Sequence, residues 1–206
     1  KLTEYREFNK HNIEKLLWPK SDTDAYHAIS KDWDEQEKKW LKHVKNKNVV
    51  IQAGGNCGMY PLLYANHFDK VYTFEPDPLN FFCLVNNCQS KNIIKFNCAL
   101  GNGQLVSLGH YEDYNIGTIK TTTDNSGYIP SIRIDDLNLK KCDMIHLDIE
   151  GFEEKALSGC IKTIEKFSPV IVLEKGEING KSNIIRRMGY ELVYKTRDTV
   201  YVRQKV

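Results

Sequence analysis

Residues 49 to 58, VVIQAGGNCG, bring an apolar run to an abrupt stop at Gly54, Gly55 and Gly58, where a helical pattern begins. Glycines at such a point let the backbone turn tightly and approach a ligand without a Cβ in the way. A second apolar run, VYTFEP, ends in Glu75 and Pro76, with Glu75 21 positions after Gly54. That separation matches the distance from a nucleotide loop to the carboxylate that holds two ribose hydroxyls. Farther along, IHLDIEG carries His146 and Asp148 on one face of a strand-like run with Glu150 behind them, and VIVLE ends in Glu174. A histidine and carboxylates at strand ends can accept a proton, hold a cation or position a hydroxyl.

Loop and carboxylate together point to an adenosine-bearing cofactor. Both NAD and S-adenosylmethionine qualify. A pyrophosphate needs a helix N-terminus left open to an anion, whereas Asn56, Cys57 and Met59 crowd this entry. The loop is therefore read as cradling the methionine part of S-adenosylmethionine, with Asn56 as a polar cap to the following helix. Divalent metal, if any, falls to Asp148 and Glu174, two carboxylates without a clear third ligand. His146, Asp148 and Glu174 are the candidates for the reacting centre.

These elements must be positioned by a parallel sheet. Strands are predicted near 49–53, 71–75, 93–97, 143–148 and 169–174, alternating with helices near 56–67, 78–88, 151–166 and 180–188. ELVYKTRDTVYVRQ reads as a closing antiparallel hairpin around Arg197-Asp198. Residues 104 to 134, rich in Thr, Gly, Asn and Tyr, read as an inserted run of short strands and loops. Residues 1 to 47 are charged and helical in pattern, a cap belonging to the same domain, with the catalytic domain over 48–206. Ligands of such sheets lie beyond the carboxyl ends of the strands, where strand order reverses.

AGGNCG, FEPDPLNF, NCALG, SIRIDDL and HLDIEGFEEKAL, in this order and spacing over about residues 48 to 175, resemble the FkbM family of S-adenosylmethionine-dependent methyltransferases. Gln52 stands where that pattern has Asp in D-x-G-A-N, and His146 where Lys is common. The resemblance implies a Rossmann-like class I methyltransferase: a doubly wound, mostly parallel, seven-stranded sheet with a C-terminal antiparallel hairpin. It further implies that Gln52, Gly54, Gly55, Asn56, Gly58, Glu75 and Pro76 serve the donor, joined by Asp148, and that Asn97, Cys98 and Ala99 lie against adenine. O-methylation of a sugar or glycosylated small molecule is the activity it suggests. Trp18, Trp33, Tyr111, Tyr114 and Tyr128 lie in the two segments free to build an acceptor pocket. A nicotinamide-dependent oxidoreductase and a catalytically silent binding module remain as rivals.

Composition bounds the partners. The chain has 206 residues, 41% hydrophobic and 27% charged, enough for one good core. A net charge of +2 is too small to argue for nucleic acid or a membrane surface, and no basic block is interleaved with aromatics, so neither is expected as a partner. No apolar run approaches a membrane span, and no signal peptide is recognised. Six cysteines form no C-x-x-C pair and no zinc spacing, so they are expected as buried reduced thiols in a cytoplasmic protein.

Overall fold

A computed structural model describes residues 2–6, 16–20, 22, 33–109, 118–123 and 126–204. In chain order the central elements are β3 (Val49–Ala53), α2 (Met59–Ala65), β4 (Lys70–Phe74), α3 (Pro78–Asn87), β5 (Ile93–Phe96), β10 (Met144–Leu147), α4 (Glu153–Ser158), α5 (Ile161–Phe167), β11 (Val170–Glu174), α6 (Asn183–Arg187), β12 (Tyr190–Lys195) and β13 (Asp198–Arg203). They build a seven-stranded sheet of order β12-β13-β11-β10-β3-β4-β5. Only β13 runs against its neighbours, pairing antiparallel with β11 and β12. This is the doubly wound, mostly parallel fold with a C-terminal hairpin that the alternation predicts. The order reverses between β3 and β10, which pair in parallel with His146 opposite Gln52.

The apolar strands VVIQA and VIVLE are buried along their whole length, as strands covered on both faces must be. Alternate residues feed two cores. Val50, Met144 and Val172 join Trp40, Leu63, Tyr64 and Leu84 on one face. Ile51, Ile145 and Ile171 join Leu157, Ile164, Ile185 and Tyr201 on the other. All six cysteines are free and buried.

Three elements depart from the sequence reading. Within residues 1–47 the described helix is α1 (Trp33–Leu41), and β1 (Leu2–Arg6) and β2 (Leu16–Pro19) pair antiparallel. Leu16 and Trp18 are buried while Leu17 is half-buried, a two-residue period hidden in a charged segment. Asn87 holds β2 at Leu17, accepting its N–H (2.6 Å) and donating to its carbonyl (2.9 Å). The helix expected over 151–166 is split at Gly159, which packs so closely on Gly101 that a Cβ would lie 2.0 Å from its carbonyl oxygen. The helix expected from residue 56 starts at Met59, because Gly58 (φ 104°) still belongs to the turn.

A smaller sheet lies in and beside the inserted segment, with β6 (Ala99–Leu100), β7 (Leu105–Leu108), β8 (Thr121–Thr123) and β9 (Ile129–Ile132) in the order β6-β9-β7-β8. Tyr111 and Tyr114 lie outside the described residues, as does the side chain of Trp33. Trp18 is core and Tyr128 is exposed. Among the described residues no helix is long and apolar enough to cross a membrane.

Candidate active site

The loop after β3 is tied to the end of β4. Gly54 and Gly55 both donate their N–H to the Phe74 carbonyl (3.1 and 2.9 Å). Asn56 donates its N–H to Glu75 Oε2 (2.7 Å), and Asp77 donates to Glu75 Oε1 (2.8 Å). Gly54 is required by geometry: at φ 85° its Cβ would lie 1.8 Å from the Asp148 carbonyl oxygen. The loop after β3 therefore rests directly on the end of β10, across the point where strand order reverses.

Gln52 lies beneath this loop and is fully buried. Its Nε2 donates to the Gly54 carbonyl (2.9 Å), and its Oε1 accepts from the Thr73 hydroxyl (2.6 Å). Expected as a donor-binding residue, Gln52 instead has both amide groups engaged in shaping the loop. Asn56 was expected to cap α2; the cap residue is Gly58, with no side-chain bond. Asn56 sits at φ 46°, and its Oδ1 is a buried acceptor without a protein partner.

Glu75 is 6% exposed. Burial pushes its carboxyl up to about 7, although the Asp77 and Asn56 N–H groups pull the other way. Beside it, Asn97 donates to the carbonyls of Glu75 (2.8 Å) and Pro76 (3.3 Å). Cys98 turns its thiol into the core, and Ala99 belongs to a small cluster with Val106 and Phe152. Backbone is what these two can offer a ligand.

Carboxylates converge at the other strand ends. Asp148, Glu150 and Glu174 each offer an oxygen within 4.8 Å of the others. Glu174 is fully buried; its Oε1 receives Arg197 Nη2 (2.6 Å), Arg197 Nε (3.0 Å) and Lys175 Nζ (3.0 Å). Burial alone would raise the Glu174 carboxyl, but these two cations hold it below its ordinary value. Asp148 goes the other way: burial, then the charges of Glu174, Asp198 and Glu150, raise it well above the usual range, with Arg197 opposing. Glu150 is raised too, by burial and Glu174. Glu150 (φ 51°) and Lys175 (φ 48°) are non-glycine residues in the left-handed region, where strain gathers at functional sites.

His146 is not at the surface of this centre. It is fully buried, bonded through Nδ1 to the Tyr64 hydroxyl (2.8 Å), with the Tyr60 and Trp40 rings 4.4 and 5.0 Å away. Although it shares a strand face with Asp148, α1 and α2 cover it, so it acts as a core histidine rather than the base expected from its position.

The model of the methyltransferase FkbM domain matches residues 56–196. The chain belongs to the FkbM methyltransferase family. No curated protein is significantly similar in sequence. The FkbM methyltransferase of Methylobacillus flagellatus shares 19% identity and a TM-score of 0.55 over 76% of this chain, which spans 43% of that protein's length. Trm5b of Pyrococcus abyssi gives 13% identity and a TM-score of 0.51 over 98% of this chain and 54% of its own. The N-methyltransferase NodS of Bradyrhizobium japonicum, in complex with S-adenosyl-L-homocysteine, gives 7% and 0.50 over 90% and 94%. At these identities the likeness is one of fold.

The groups of this FkbM chain that sequence reasoning missed are Tyr60, Asp198, Arg197 and Lys181. Arg197 and Asp198 were legible only as a turn, and Lys181 lay at the start of a predicted helix. Tyr60 fell inside the helix predicted near 56–67 without being singled out, yet the Asp148 charge, second to burial, raises its phenol.

Proposed function

We propose that this chain is an S-adenosylmethionine-dependent O-methyltransferase whose acceptor is a hydroxyl of a sugar or a glycosylated small molecule. The observation that carries the donor is the commitment of the loop amides. Gly54, Gly55 and Asn56 spend their N–H groups on Phe74 and Glu75, leaving this loop no anion nest for a pyrophosphate. That disfavours a dinucleotide.

The residues present fit the phosphate-free donor. Each Glu75 oxygen accepts one backbone N–H and keeps a further lone pair for a ribose hydroxyl. Asn56 Oδ1 is a buried acceptor lacking a partner, suited to the ammonium group. Four carboxylates, Asp148, Glu150, Glu174 and Asp198, face two cations, Arg197 and Lys175, a surplus of negative charge that suits a cationic ligand. Bound, S-adenosylmethionine supplies an electrophilic methyl group on a sulfonium. The protein's share is alignment, worth up to about 7–11 kcal/mol, and removal of the acceptor's proton. Asp148 takes that proton: its raised carboxyl makes it a stronger base than an ordinary aspartate.

A divalent cation is a second use of the acidic cluster. Glu174 would offer it only Oε2, a buried oxygen without a protein partner, since Arg197 and Lys175 occupy its Oε1. Gln52 in place of Asp does not argue for a silent scaffold, because it ties the loop rather than the ligand. Transfer of labelled methyl from S-adenosylmethionine to a sugar-based acceptor panel, with and without EDTA, tests the reading. Asp148→Asn is expected to lower kcat by about 10²-fold or more while S-adenosylhomocysteine still binds. Undiminished turnover by that variant would remove Asp148 from the chemistry.

A further inference from the structure

The backbone ladder between β10 and β11 ends at Leu147 opposite Leu173. Past it the two chains turn away through left-handed residues, Glu150 and Gly151 on one side and Lys175 on the other. Asp148 and Glu150 stand on the first of these departing segments, and Glu174 is the last residue of β11 before the second. A buried ion pair links the two segments.

Lys181 Nζ lies 2.9 Å from Glu153 Oε2, with side chains 11% and 0% exposed. The same ammonium donates to the carbonyl of Glu174 (3.2 Å), and Glu153 Oε1 accepts the N–H of Gly151 (3.3 Å). A continuous polar chain thus runs from the turn after β10, through the first turn of α4, to the last residue of β11. It also fastens residues 175–182, where Lys175, Asn179 and Gly180 all have positive φ. A buried pair of this kind is a poor device for stability alone, since apolar side chains of similar volume commonly serve as well. Its value lies in fixing geometry.

We propose that Lys181 and Glu153 are positioning residues for methyl transfer, holding the Asp148–Glu150 turn against the end of β11 so that the carboxylates converge on the donor. This inference rests on the methyltransferase reading. Calorimetry with S-adenosylhomocysteine, well below each variant's unfolding midpoint, tests it. Lys181→Met is expected to weaken binding about tenfold, as small misplacements of a site do, and Lys181→Arg to recover most of the loss.

Arg186→Met is the control for a general loosening of the same segment, because Arg186 pairs with Glu177 (2.9 Å to each oxygen) without reaching the strand ends. It is expected to lower the melting temperature and leave affinity intact. Glu153→Gln, which keeps an acceptor for Gly151, decides the matter if Lys181→Met does not fold. Binding by Lys181→Met and Glu153→Gln within about twofold of the native chain, or an equal loss in Arg186→Met, overturns the proposal while leaving the donor assignment standing. Failure of the native chain itself to bind removes both.

Discussion

Glu75 should make donor affinity depend on pH. Its carboxyl is raised to about 7 because it is buried, and only two backbone N–H groups offset that burial. Two ribose hydroxyls donate hydrogen bonds, so they favour the ionised carboxylate. About one-tenth of Glu75 is ionised at pH 6 and about nine-tenths at pH 8, so S-adenosylhomocysteine should bind about ten times more weakly at pH 6, a difference of about 1.4 kcal/mol. Binding at pH 6 should also release close to one proton, seen as a dependence of the calorimetric heat on the ionisation enthalpy of the buffer. Glu75→Gln separates this effect from Asp148 and Glu150: it should bind weakly at every pH and lose the slope. The same shift has a stability sign. A carboxyl raised in the folded state favours folding while protonated, so that contribution is present below about pH 4.5 and is lost as pH rises through about 7, by about 3 kcal/mol in all. An affinity flat from pH 6 to 8 with no proton release would refute the assignment of Glu75 to the ribose.

Gly54→Ala should destabilise the fold by at least about 2 kcal/mol in denaturant titration and abolish S-adenosylhomocysteine binding, since its Cβ meets the Asp148 carbonyl at a positive φ. Thr73→Val should cost about 1–3 kcal/mol by the same titration, because Gln52 Oε1 then loses its donor inside the core. His146→Phe should lower stability by removing the buried hydrogen bond between Nδ1 and the Tyr64 hydroxyl, yet change S-adenosylhomocysteine affinity little, as calorimetry would register. Thiol titration with an aromatic disulfide should find the cysteines unreactive in the native protein and all six reactive once it is unfolded.

The legible parts of the fold were those written in local periodicity. VVIQA and VIVLE read as doubly covered strands because four of the five residues in each are apolar, and the terminal hairpin followed from alternation around Arg197-Asp198. Gly54 and Glu75 could be found because the loop and the strand end that meet it lie close in sequence. What stayed hidden depends on distant partners. β2 pairs with β1 and lies against α3, a placement that its neighbours in sequence do not reveal. Gly159 ends α4 because Gly101, far away in the chain, needs the room. Alternation put His146 on the correct face, but only Trp40 and Tyr60, arriving from two helices, decide that it is buried. Arg197 and Lys181 reach the strand ends from turns, where neither period nor propensity marks a functional side chain.

The central claim is that the loop, Glu75 and the acidic strand ends together hold S-adenosylmethionine. Calorimetric titration of the purified chain with S-adenosylhomocysteine, beside NAD, tests it most directly. Micromolar binding of the first with no heat from the second is the predicted result. Binding of NAD, or of neither ligand, would contradict the account.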